Sequence, residues 1–129
     1  MPHNVNVLTG RIIGAAIEVH RSLGPGLLES AYHNSLAREL QLANIPFLSQ
    51  HPLPLVYKGI KLRKVYIVDL LVADLIVVEI KSIACITPIH EAQLLTYMRL
   101  GGWQIGLLLN FNVAVLKDGI CRRVLNLQE

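Results

Sequence analysis

The sequence predicts one α/β domain: a mixed β-sheet flanked by helices, with elements in the order α-α-β-β-β-α-β-β. Three observations carry this reading. Up to about position 42, apolar residues recur at three- and four-residue spacing. From Leu53 to Lys81 the chain turns to short runs of β-branched and aliphatic residues. A further helical stretch then separates these runs from a last apolar segment.

The first helix is expected from about Val7 to Leu23, with Leu8, Ile12, Ala15, Ala16, Val19 and Leu23 on one face. Gly24-Pro25-Gly26 ends it, with glycine at the cap and proline just beyond. A second helix is expected over Leu27 to Leu42, with Leu28, Tyr32, Leu36 and Leu40 inward. Strands follow at Leu53–Tyr57, Val65–Val72 and Leu75–Lys81, separated by turns at Lys58-Gly59 and Ala73-Asp74. The second and third of these are apolar on both faces, as strands covered on each side are. Thr87-Pro88 opens the third helix, threonine as N-cap and proline in the first turn. Gly101-Gly102 closes it. Trp103–Asn110 is the next strand, and Asp118-Gly119 is expected to turn a hairpin in what remains.

A chain of 129 residues suits a single domain, residues 1–129, able to bury a core without staples. Its hydrophobic share is 53%, against roughly 45–50% in ordinary domains. That composition excludes disorder and points to a partner over some apolar surface, such as a second copy in a homodimer. No stretch reads as a membrane span, because Asp69, Asp74 and Glu79 interrupt the most apolar one. The opening MPHNVNVLTG has neither the charged head nor the apolar run of a signal peptide. Cys85 and Cys121 are too few for a disulfide framework or zinc cluster and are expected as buried, reduced thiols in a cytoplasmic protein. The net charge of +3 permits a polyanionic partner without demanding one. The basic run Lys58, Lys61, Arg63 and Lys64 is the solvated side of a hairpin unless it lies beside a catalytic cleft.

The chemistry stands out against the apolar strands. Leu75–Lys81 is apolar until Glu79 and Lys81, which are two apart and so share a face. The preceding strand carries Asp69 alone among apolar neighbours. Burying unpaired charge costs several kcal/mol or more, so something must compensate. One candidate is an ion pair between Lys81 and a carboxylate, which leaves one acid over. The other is a divalent cation between Asp69 and Glu79, since Mg²⁺ is often held by one or two carboxylates plus water and substrate phosphate. Glu29, in the first turn of the second helix, is by helical angle on the core-facing stripe and offers a third acid. Gln93 and Tyr97, four apart, share a face with Ile89 and Leu100. A shared site also constrains the turn. A two-residue connection at Ala73-Asp74 would set Asp69 opposite Val78 and send the two acids to opposite faces. A three-residue connection or a β-bulge is therefore expected.

These residues resemble a known family. Gly26-Leu27-Leu28-Glu29-Ser30-Ala31-Tyr32 is similar to the signature of the GxxExxY proteins, small members of the PD-(D/E)XK nuclease superfamily. Asp69 with Glu79-Ile80-Lys81 resembles the superfamily motif, and Gln93 to Tyr97 resembles the Gln-x-x-x-Tyr motif of its exonuclease-like branch. The likeness runs from about Leu8 to Leu125. It implies a restriction-endonuclease-like fold, with Glu29, Asp69 and Glu79 around Mg²⁺ (Mn²⁺ as substitute) and Lys81 near the attacking water. His20 and Asn110-Phe111 also stand at typical family positions, His20 as a hydrogen-bonded structural residue rather than a ligand. Ile67 departs from the family in lacking a basic side chain, and Ala84-Cys85 in lacking charge.

The leading expectation is a Mg²⁺-dependent hydrolase of DNA or RNA phosphodiesters, with nucleic acid as partner. Its rivals are a module of the same fold that binds nucleic acid or protein but cleaves little, and a purely structural dimer.

Overall fold

The computed structural model describes residues 4–125, without the side chains of Lys64 and Val65. Residues 1–3 of the opening segment lie outside the described residues.

Helix α1 spans Val5–Leu23 and is capped by Asn4, whose side chain accepts from the N–H groups of Asn6 and Val7. Leu8, Ile12, Ala16 and Val19 are buried as the periodicity predicts, whereas Leu23 is exposed. Helix α2 spans Glu29–Leu42, later in its start than expected. Leu28 is its N-cap and is 78% exposed, so Tyr32, Leu36 and Leu40, with His33 beside them, make the buried side.

Strand β1 spans Phe47–Tyr57 and β2 Ile60–Val72, joined at Lys58 (φ 49°) and Gly59 (φ 82°). Such left-handed pairs suit a two-residue hairpin. β1 begins before the predicted Leu53 because Ser49, His51 and Pro52 are strand by pairing with β2, not by composition. It is an edge strand, where prolines are tolerated. β3 spans Ile76–Lys81, α3 Pro88–Gly101, β4 Ile105–Asn110 and β5 Ile120–Val124. Asp118-Gly119 does not turn a hairpin; it ends a short 3-10 turn, Leu116–Gly119, that leads into β5.

The five strands stand in sequence order, β1-β2-β3-β4-β5. β3 and β4 are parallel, with α3 as the crossover, and the other pairs are antiparallel. β3 lies mid-sheet, with every residue but Lys81 buried. One sheet face packs on α1 and α2 through Leu70, Val72, Ile76, Val78 and Ile80. The other packs on α3 through Val68, Leu71, Val77 and Leu108. α3 sits so close to β4 that a Cβ on Gly106 would lie 2.5 Å from the Met98 sulfur. The fold is thus the predicted α/β architecture, a mixed sheet between helices. Among the described residues no helix is long and apolar enough to cross a membrane.

Candidate functional site

The site begins with a register. β2 and β3 pair as Val72↔Ile76, Leu71↔Val77 and Leu70↔Val78, which leaves Ala73, Asp74 and Leu75 as a three-residue connection. This is the connection that a shared site requires. Ala73 and Asp74 adopt φ of 54° and 55° to make it. The next step in the same register sets Asp69 across from Glu79. There the backbone ladder gives way to the side chains. The Asp69 N–H donates to Glu79 Oε2 at 2.9 Å, and the Ile80 N–H donates to Asp69 Oδ2 at 2.7 Å. Each carboxylate thus satisfies a donor of the opposite strand.

β2 also changes face at this point. Leu70 and Val72 pack towards α1 and α2, but Val68 and Leu71 both pack towards α3. The β1 register passes from Ser49↔Leu70 to His51↔Val68 without pairing Gln50 to Asp69, and Gln50 has φ 55°. Asp69 therefore adjoins both sides of the sheet. It lines a cleft of about 400 Å³ together with Glu29, His33, Ser49, Gln50 and Ile80. By strand alternation Glu79 and Lys81 stand on the α3 side.

Glu79 is only 4% exposed. Burial and the neighbouring Asp69 carboxylate push its carboxyl up to about 8, against the Asp69 N–H and the Lys81 charge. Burial likewise raises the Asp69 carboxyl, opposed by the Ile80 N–H and by the charges of His33 and Lys81. Lys81 is felt by both acids but pairs with neither. The ion pairs among the described residues are Arg21–Glu18 and Arg123–Glu91, and Lys81 is in neither. The structural alternative of a Lys81–carboxylate ion pair is therefore absent from the described residues.

Glu29 departs from expectation in direction: it is exposed, not core-facing. Its Oε2 accepts the Ser82 N–H at 3.4 Å, and Ser82 Oγ donates to the Leu27 carbonyl at 2.6 Å. The end of β3 thereby meets the start of α2. Two buried residues fix that meeting. Tyr32 donates its hydroxyl to the Gly24 carbonyl at 2.6 Å, accepts from the Leu27 N–H, and stacks on Phe111 at 4.5 Å. Asn110, 2% exposed, grips Ile83 through both its N–H and its carbonyl. His20 bonds the Val113 carbonyl at 2.8 Å, the structural role expected of it.

On α3, Gln93 Nε2 donates to the Tyr97 hydroxyl at 3.1 Å. Tyr97 packs with Leu94 and Met98, whereas Ile89 and Leu100 are exposed, so the inner face of α3 is not the predicted one. Burial, Glu79 and Asp69 push the Tyr97 hydroxyl up to about 12. It stays protonated at any working pH, a donor beside the acids. Cys85 is exposed and Cys121 half-buried, so neither is the buried thiol expected.

Among the described residues no three His, Cys, Asp or Glu side chains are gathered closely enough to hold a metal ion as they stand. The pair Asp69 and Glu79 nonetheless fits a hard divalent cation. Each uses one oxygen on a backbone N–H and has no hydrogen-bond donor on the other among the described residues. Lys81 and, at Asp69, His33 oppose their mutual repulsion only in part, and neither acid forms an ion pair among the described residues. One or two carboxylates are what Mg²⁺ commonly takes from a protein.

Residues 6–124 match the sequence pattern of the PD-(D/E)XK nuclease superfamily. The chain belongs to that superfamily. No curated protein and no solved structure matches it. In this PD-(D/E)XK domain the sequence-predicted Asp69, Glu79 and Lys81 stand together on β2 and β3. Gln93 and Tyr97 approach from α3, and Glu29 stands on the cleft side, linked through Ser82. Sequence reasoning missed His33, Gln50 and Ser82. His33, which meets Ser49 Oγ at 2.7 Å, carried one signal: it lies one helical turn after Glu29.

Proposed function

We propose that this domain is a metal-dependent nuclease that hydrolyses phosphodiester bonds of DNA or RNA. The observation that carries the proposal is the facing pair Asp69–Glu79, buried and mutually repelling, with Lys81 two residues along and unpaired. A structural site would close that charge within the protein; this one leaves it open. Asp69 and Glu79 would hold Mg²⁺ or Mn²⁺, with Glu29 the third acid, reaching the ion directly or through water. A bound divalent cation supplies polarisation of the phosphate and an acidified water. Lys81, two residues along β3 from Glu79, serves as an electrostatic clamp on the phosphate oxygens rather than as a base. Tyr97, held by Gln93, is positioned as a neutral donor towards the same group. The segment Gly26–Tyr32 supports placing the chain among the GxxExxY proteins, and Tyr32 then serves to fix the loop that presents Glu29.

A second reading is favoured by one observation, the lack of a ready three-ligand cluster among the described residues: the domain binds nucleic acid and cleaves little. Both readings are tested by incubating the protein with single- and double-stranded DNA and RNA in Mg²⁺, Mn²⁺ or chelator, beside calorimetric Mn²⁺ titration. Metal-dependent cleavage is expected. Metal and nucleic-acid binding without cleavage would favour the second reading, and no metal binding at all would refute the first.

A further inference from the structure

Among the described residues, no side chain of the β1–β2 hairpin from Leu55 to Arg63 belongs to the core. The paired positions jump from Leu53↔Tyr66 to Leu55↔Leu62, so β2 carries extra residues against Pro54 and the ribbon bends there. Beyond the bend, Val56, Tyr57 and Ile60 are about 60% exposed (64%, 58% and 63%). The hairpin is a projecting arm. Its charge is one-sided. From Gln41 to Val68 there is no Asp or Glu, while the same stretch holds Lys58, Lys61, Arg63 and Lys64. Lys58, Lys61 and Arg63 are exposed, and none joins an ion pair among the described residues. Tyr57 lies under Lys58, whose Nζ is 5.4 Å from the ring centroid.

β1 ties this arm to the cleft. Ser49 and Gln50 line the cleft, and the same strand runs on to Tyr57. At about 3.3 Å per residue, and allowing for the bend, Lys61 (opposite Val56) and Lys58 stand at most roughly 20 and 26 Å from Gln50. A duplex advances about 3.4 Å per base pair. One continuous substrate would then reach the arm within about 8 base pairs of the bond held in the cleft.

We propose that this arm binds the phosphate backbone of the nucleic acid on which the cleft acts, through Lys58, Lys61 and Arg63, with Tyr57 as a contact surface. The inference rests on the nuclease reading of the cleft. Charge complementarity selects the occupant, because a second copy would set like-charged arms together. The arm supplies affinity without sequence selectivity, since phosphate contacts carry no base information.

The test is equilibrium binding in chelator, where nothing is cleaved. Wild type and the triple variant Lys58→Ala/Lys61→Ala/Arg63→Ala are titrated with 24-base-pair DNA and RNA duplexes over a range of salt. Loss of three phosphate contacts is expected to flatten the slope of log K against log salt by about 2–3. At near-physiological salt the affinity is expected to fall at least about 10-fold for whichever duplex is the substrate type. The charge-conserving Lys58→Arg/Lys61→Arg variant should keep the wild-type slope. A triple variant with wild-type slope and affinity on both duplexes would overturn the arm, whatever the wild type cleaves. A dimer that Tyr57→Ser/Ile60→Ser converts to monomer, with nucleic-acid affinity untouched by the alanine changes, would overturn it in favour of self-association. Wild type that binds with the expected slope, loses it in the triple variant and still cleaves nothing would support the arm and refute the nuclease reading instead.

Discussion

Replacing Glu79 by glutamine should make the metal-free protein more stable, by a margin that grows as pH rises from about 4.5 to about 8. The Glu79 carboxyl is 4% exposed and pushed up to about 8 from 4.5. A raised carboxyl means that the folded state keeps its proton where the unfolded state has lost it. Below about 4.5 both states are protonated and stability is unaffected. Between about 4.5 and 8 the folded state binds more protons, so stability falls as pH rises, by up to about 1.4 kcal/mol per pH unit. Above about 8 both states are ionised and the loss stays at its full size. Worked through, the loss is about 1 kcal/mol near pH 5 and on the order of 4–5 kcal/mol near pH 9.

Glutamine cannot ionise, and its carbonyl oxygen can still accept the Asp69 N–H that Glu79 accepts now. Urea melts of wild type and Glu79→Gln in chelator, at several pH values from 5 to 9, should therefore start close together and diverge, the variant becoming the more stable by several kcal/mol. Mg²⁺ at pH 9 should close much of that gap by binding the ionised wild type. A wild type whose stability is flat from pH 5 to 9, or a variant no more stable at pH 9, would refute the account of a buried, repelling pair.

Lys81→Ala should leave calorimetric Mn²⁺ binding within about twofold while removing most cleavage, at least about 100-fold, since a clamp acts on the substrate's charge and not on the metal; parallel loss of both would contradict that division. Tyr32→Phe removes the hydroxyl that bridges Gly24 and Leu27 and should cost about 1–3 kcal/mol in a denaturant melt, with a rise in KM for substrate as the Glu29 loop loosens. Ala73→Gly frees a residue held at φ 54° and should raise stability by about 0.5–1 kcal/mol, with cleavage unchanged.

The parts legible in the sequence are those whose physics is local. Glu79 and Lys81 stand out because strand alternation puts two charges on one face of an otherwise apolar run. The third helix was bounded by Thr87-Pro88 and Gly102, and both ends hold. The β2–β3 connection followed from strand parity once Asp69 and Glu79 were required to share a site, which left a three-residue connection or a bulge, and the connection has three residues. What was not legible depends on tertiary partners. β1 starts at Phe47 because β2 offers a ladder to Ser49 and His51, whose own composition argues against a strand. Glu29 was placed inward by extending the helical phase of Tyr32 and Leu36 to the first residue of α2, where the chain is already turning towards Ser82. His33 and Gln50 enter the cleft only because α2 packs beside the point where β2 changes face, and no local pattern announces that.

One position can separate charge from hydrogen bonding. Asp69 does two things at once: it brings a negative charge close to Glu79, and its Oδ2 satisfies the Ile80 N–H where the ladder stops. Asn at 69 removes the charge and keeps an acceptor. Metal-free Asp69→Asn should therefore gain about 0.5–2 kcal/mol, the usual scale for relieving functional strain. Ala at 69 removes both, orphaning a buried backbone donor at a cost of about 1–3 kcal/mol, which offsets the relief or exceeds it. Asn should thus melt higher than wild type in chelator, with Ala below Asn by at least about 1 kcal/mol. Both should lose most of the stabilisation that Mg²⁺ gives the wild type. If Asp69 instead served a close pair with Lys81, both substitutions would strand the lysine and both would melt well below wild type. Thermal melts of the three proteins, in chelator and in Mg²⁺, distinguish these orders. An Asn variant that melts lower than wild type without metal, and no Mg²⁺ shift in any of the three, would refute the site as a place for a cation.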